Sequence, residues 1–139
     1  MREAMEQNEQ MTTDGFADML AHSLEKRAQL LKILSMNHYD METDSRPEHL
    51  AAFKVVYGES IRTVISALDK YFPNMTVSEK QDFIYTFFPF MFGIYPYSFV
   101  TEKQRIAMEE ANVNYVFMTI YEITYNCIRK LLASSRPLP

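Results

Sequence analysis

The chain has 139 residues, of which 47% are hydrophobic and 23% charged. That is enough for one domain burying roughly two-thirds of its unfolded surface, and too apolar for a disordered chain. The net charge is −4 and the basic residues are dispersed among more numerous acids, which excludes the basic face that grips nucleic acid by itself. A single cysteine, Cys127, excludes an internal disulfide framework and a Cys-based zinc site, and matches a reducing cytoplasm.

The N-terminal MREAMEQNEQ lacks the basic and apolar regions of a signal peptide. Residues 1–13 carry no strong apolar stripe and read as poorly ordered or as a truncated helix. Asp14-Gly15 makes a break and cap before Phe16. From there Phe16, Met19, Leu20, Leu24, Arg27, Ala28, Leu31 and Leu34 recur at helical steps, with a kink expected near His22–Ser23. Ser45-Arg46-Pro47-Glu48 has the form of a capping box with Pro in the first turn. It opens a long amphipathic helix whose face runs Leu50, Phe53, Tyr57, Ile61, Val64, Ile65, Leu68 and Phe72.

Thr76-Val77-Ser78-Glu79 is a second capping box. It leads into FIYTFFPFMFGIYPYSFV at 83–100, a stretch without charge that holds nine of the nineteen Phe and Tyr residues. Eighteen uncharged residues reach the length of a membrane span. Pro89, Gly93, Pro96 and the polar positions argue against one, and no membrane partner is expected. Phe83, Phe87, Phe90 and Ile94 form one row, with Ile84, Phe88, Met91 and Tyr95 beside it. Pro89 should kink this helix, and Gly93 and Pro96 end it. Thr101 to Gln104 starts a short polar helix through Ala111. The last helix is expected from Val113 to Leu132, apolar on all but a narrow stripe.

Catalytic patterns are lacking: there is no phosphate-binding Gly loop, no GxSxG and no HExxH. His22, His38 and His49 are scattered. His38 and Glu42 share a helix face at i,i+4, but a metal site needs three or four ligands; the segment reads as a polar helix end. Cys127, among Ile123, Ile128 and Leu131, reads as a small buried hydrophobe. No enzyme activity, catalytic residue, cofactor or metal is expected.

The helices near 77–95 and 113–133 offer more apolar surface than one small chain can cover, and paired across a two-fold axis they would make a four-helix dimer bundle. Ten methionines and nineteen Phe and Tyr residues also suit an adaptable cavity. The pocket is expected from Met36, Tyr39, Tyr57, Ile61, Ile84, Phe88, Met91, Tyr95, Phe117 and Tyr121. The dimer interface is expected from Phe83, Phe87, Phe90, Ile94, Ile120, Thr124, Cys127, Ile128 and Leu131.

The order of helices, carried by FADMLAHSLEKRAQLLKILS at 16–35, HLAAFKVVYGESIRTVISALDKYFP at 49–73, the aromatic stretch at 83–100 and NYVFMTIYEITYNCIRKLL at 114–132, resembles the C-terminal regulatory domain of TetR/AcrR-family transcriptional regulators. The resemblance implies an all-α antiparallel bundle over 14–135 with a tail at 136–139. It also implies a homodimer, a small apolar or aromatic effector, and control of DNA binding in a cytoplasmic repressor. The family's N-terminal helix-turn-helix head has no counterpart before Phe16, so the domain is read as excised from a parent or as having lost its head; DNA is a partner only through such a head. The alternative is a stand-alone interaction module using the aromatic face around 83–100. Phe87→Asp should place an unpaired carboxylate in the aromatic row, costing several kcal/mol. Wild-type size and melting in that variant would show that the helix is misplaced.

Overall fold

The structure, a computed structural model, describes residues 2–32, 34–35, 47–114 and 116–133. Among these residues the fold is all-α. The elements are α1 (Arg2–Gln7), α2 (Thr13–Glu25), α3 (Pro47–Tyr71), α4 (Val77–Gly93), α5 (Tyr95–Ser98), α6 (Glu102–Glu110) and α7 (Ile120–Leu131). Residues 28–32 are also helical.

Thr12, not Asp14-Gly15, caps α2. Its Oγ1 accepts from the Gly15 amide at 2.9 Å, and a Cβ at Gly15 would sit 3.2 Å from that oxygen. Glycine therefore lets the cap close. The expected kink at His22–Ser23 falls one turn later, at residues 26–27. There the Arg27 amide donates to the Leu24 carbonyl at 2.9 Å instead of reaching Ser23. The orphaned Ser23 carbonyl accepts from the Arg27 Nη1 at 2.8 Å, so one residue both makes the break and satisfies it.

The capping box expected at Ser45–Glu48 lies outside the described residues. In α3 the described part of the expected face turns inward from Tyr57 onward, with Val64, Leu68 and, just past the helix, Phe72 buried. Lys70 donates to the Met5 carbonyl, and the Tyr71 hydroxyl donates to the Asn8 carbonyl at 2.7 Å with the Met5 carbonyl 3.3 Å away. These bonds tie α1 to the end of α3.

Thr76 caps α4 by accepting from the Glu79 amide at 3.1 Å. The helix runs through Pro89 to Gly93. Pro89 is exposed, on the side where water can meet the carbonyl its missing N–H leaves free. Phe83, Ile84, Phe87 and Phe88 are all buried. Positions i, i+1, i+4 and i+5 make one broad face, so both aromatic rows turn into the chain's own core.

The expected helix from Val113 to Leu132 is corrected most. Asn112 adopts φ 56°, a left-handed conformation that asparagine tolerates at a helix end. Regular helix resumes only at Ile120. Thr119 and Glu122 form a reciprocal capping box, with the Glu122 amide donating to Thr119 Oγ1 at 3.1 Å and the Thr119 amide donating to Glu122 Oε1 at 3.4 Å. That local cap fixes the start of α7, whereas apolar composition alone specifies no helix. Thr101 and Gln104 cap α6 in the same way, as their spacing predicts.

Helices α2 and α7 pack antiparallel. Arg129 Nε meets Asp14 Oδ1 at 2.9 Å at one end, and the Tyr121 hydroxyl donates to Asp18 toward the other. Fully buried Ala17 and Ala21 let the two axes come close. Phe16 lies beneath, edge-on to Phe72 at 5.4 Å, Tyr71 at 6.2 Å and Phe83 at 6.5 Å between centroids. Phe16→Ala should destabilise the chain by about 3–5 kcal/mol in urea unfolding. A cost below about 1 kcal/mol would show that these rings do not share one core.

Candidate functional site

A cleft of about 520 Å³ opens between α1, α2, α3 and α4, a volume within the range of small-molecule sites. Helix α2 contributes Leu20, Ser23, Leu24 and Arg27, and the segment after its break contributes Leu31 and Leu34. Ser60, Thr63 and Val64 enter from α3, and Phe87, Phe88 and Met91 from α4. Arg2 and Glu3 stand at the edge on α1. The floor is apolar because four-residue steps repeat on two helices: Leu20 and Leu24 on α2, Phe87 and Met91 on α4. The break at residues 26–27 gives Leu31 and Leu34 their place in the wall.

Of the residues expected in a pocket, Phe88 and Met91 line this cleft. Tyr57 is one ring away, edge-on to Phe88 at 5.4 Å. Ile84 is buried, and half-buried Ile61 packs on the same core. Tyr95 stacks on Phe99 at 4.5 Å, outside the cleft. Phe117 is 54% exposed and Tyr121 belongs to the α2–α7 seam; neither reaches the cleft lining. Met36 and Tyr39 lie outside the described residues.

The expected dimer interface also changes. Phe83, Phe87, Ile94, Ile120, Thr124 and Ile128 are buried within the single chain, committed to its own core rather than presented to a second copy. Phe90, Cys127 and Leu131 are half-buried and keep an accessible edge. Apolar surface appears instead at Val113, Val116 and Phe117, with Val116 80% exposed, and at Tyr85, 76% exposed. Sequence reasoning missed Arg2, Glu3, Ser60 and Thr63, because polar residues on an exposed rim carry no periodic signal. Arg27 did carry one: it is the only charged position in the apolar row from Phe16 to Leu34.

At the α2–α7 seam the Tyr121 hydroxyl donates to Asp18. His22 Nε2 lies 3.4 Å from the same carboxylate, with its ring 4.6 Å from that of Tyr121. Tyr121 stacks on Tyr125 at 5.8 Å, and Arg129 covers the Tyr125 ring at 5.4 Å. The hydrogen bond to Asp18, reinforced by partial burial, pushes the Tyr121 phenol up to about 12. Burial likewise pushes the half-buried Cys127 thiol up, against the opposing charge of Lys130, so that thiol is not activated. Among the described residues no group of His, Cys, Asp and Glu could hold a metal ion, and no helix is long and apolar enough to cross a membrane. The candidate pair His38 and Glu42 lies outside the described residues.

An all-helical domain with an apolar cleft walled by four of its helices is the class that this geometry defines. The chain matches the family described as "Tetracyclin repressor-like, C-terminal domain" over residues 1–133, and it belongs to that family. The match takes in α1 as part of the domain. Domains of this family are in general regulatory rather than enzymatic, usually dimerising and binding effectors. No curated protein and no solved structure gives a significant match.

Because the fold holds the Tyr121 phenol neutral, its contribution to stability is complete below about pH 10 and is lost as pH rises to about 12. Asp18→Asn should return the phenol toward the ordinary tyrosine value. Ultraviolet titration of phenolate absorbance checks this; an unchanged titration would place the cause elsewhere.

Proposed function

We propose that this chain is the effector-binding and dimerisation domain of a TetR-like transcriptional regulator. In that reading a small effector occupies the cleft and controls DNA binding by a helix-turn-helix head of the parent protein. The observation that carries the reading is the cleft itself, with its floor of leucine and phenylalanine and its polar rim. The mechanism follows from what it touches. Arg2 and Glu3 belong to the N-terminal helix α1, so a ligand that engages the rim also engages the part of the chain nearest an N-terminal head. A ligand fitting one spacing of α1 and α2 better than another shifts the population toward that spacing, by no more than its differential affinity.

The proposed dimer is redrawn around the exposed apolar residues. Val116 and Phe117, in the segment before α7, and Tyr85, on the outer face of α4, are exposed apolar residues that self-association would cover. Phe90, Cys127 and Leu131 add half-buried apolar surface. A second reading, an interaction module using the aromatic face around 83–100, is favoured by the exposure of Tyr85, Tyr97 and Phe99. The two part on oligomeric state and on ligand uptake.

Light scattering after size exclusion should give a dimer at micromolar concentration, and Val116→Glu with Phe117→Glu should give a folded monomer. Met91→Trp should fill the cleft and abolish the thermal stabilisation given by apolar ligands. A wild-type monomer that no ligand stabilises would instead support the interaction module.

A further inference from the structure

The cleft's charges are few and specific. Arg2, Glu3 and Arg27 are the only charged residues that line it among those described, giving a net charge of +1. Three cations elsewhere are paired with carboxylates: Arg105 with Glu102 and Glu109, Arg129 with Asp14 and Lys80 with Asp69. Arg2 and Arg27 have no carboxylate partner among the described residues. Arg2 makes one long contact, from Nη2 to Thr63 Oγ1 at 3.4 Å. Arg27 commits only Nη1, to the Ser23 carbonyl and hydroxyl. Its Nε and Nη2 hydrogens remain for the paired N–H bonds that a guanidinium makes with a carboxylate.

Below this rim the chemistry changes completely. Leu20, Leu24, Leu31, Val64, Phe87 and Phe88 are buried floor residues, and they offer a ligand no hydrogen bond from their side chains. A site with a cationic rim and an apolar floor selects a molecule with the same division. The single net positive charge matches one negative charge, while Glu3 opposes a doubly charged phosphate ester. Resting on the reading of the cleft as the effector site, we infer that its ligand is a singly charged anionic amphiphile: an aliphatic or aromatic body ending in a carboxylate. The head sits on the Arg27 and Arg2 rim, and the body lies on the leucine and phenylalanine floor.

Isothermal calorimetry on the full chain tests this with octanoate, octanol and octyltrimethylammonium, all below micelle-forming concentrations. Octanoate should bind about tenfold tighter than octanol, the difference made by charge-assisted hydrogen bonds. Decanoate should gain roughly fourfold for each added methylene that the floor covers. Arg27→Gln should reduce octanoate to the affinity of octanol without changing octanol, while Arg27→Lys keeps part of the preference. Because Arg27 also satisfies the Ser23 carbonyl, Arg2→Gln serves as a second variant that leaves the helix break intact. Equal affinity for octanoate and octanol, or preference for the ammonium, overturns the anion assignment and leaves the cleft as the binding site. An octanoate preference that survives Arg27→Gln and Arg2→Gln together overturns the rim. Failure of all three probes to bind overturns the reading of the cleft as an effector site.

Discussion

The packing of Phe16 is the constraint on which the rest of the domain depends. Its ring meets Tyr71, Phe72 and Phe83 edge-on, so one residue of α2 joins the end of α3 to the start of α4. Edge-on contacts align the positive rim of one ring with the negative face of another, and they fix orientation as well as distance. The position is set from both directions. Thr12 caps the helix just before it, and the Phe16 amide makes the first backbone bond to the Thr12 carbonyl at 2.9 Å. Met11, at the position before the cap, packs against the same core, in the manner of a hydrophobic staple. With Phe16 placed, Leu20 and Leu24 follow one and two turns on and become floor residues of the cleft.

What the sequence made legible was local. The Thr101–Gln104 box, the Thr76 cap and the inward row of α3 depend on residues within a turn or two of each other, and periodicity reads them directly. The start of α7 is hidden in composition because Val113 to Phe117 look as apolar as the helix that follows, and Thr119 and Glu122 fall within the narrow polar stripe of the expected helix. Their spacing was that of a capping box, a signal present in the chain but outweighed by composition.

The division of the aromatic rows failed for a different reason. A helix bearing Phe83, Ile84, Phe87 and Phe88 must bury that face, but its sequence does not say against what. The answer lies in Phe16, which meets Phe83, and Tyr57, which meets Phe88, both distant along the chain, and tertiary packing decided it. The cleft was legible at two of its lining positions. Phe88 and Met91 belong to it, and Arg27 announced itself as a charge in an apolar row, but the rim residues of α1 and α3 meet only after folding. Family membership then supplies what neither the periodicity nor the cleft could: the regulatory class of the domain.

The attachment of α1 has a consequence for how the molecule opens. This helix contains no buried residue; Ala4 and Met5 only rest on the core, and its main ties are the hydrogen bonds that Lys70 and Tyr71 donate to the Met5 and Asn8 carbonyls. Those bonds join α1 to α3, while α2 is closed against α7 by the Asp14 and Asp18 contacts. The cleft opens beside that tether, where α1 and α3 face α2 and α4, while Phe16 keeps α2 joined to the end of α3 and the start of α4. Backbone amides of α1 belong to the class that exchanges with solvent by local detachment, long before the Phe16 core opens. Loss of the Tyr71 tether therefore opens the rim at Arg2 and Glu3, while the Phe16 core holds the floor in place.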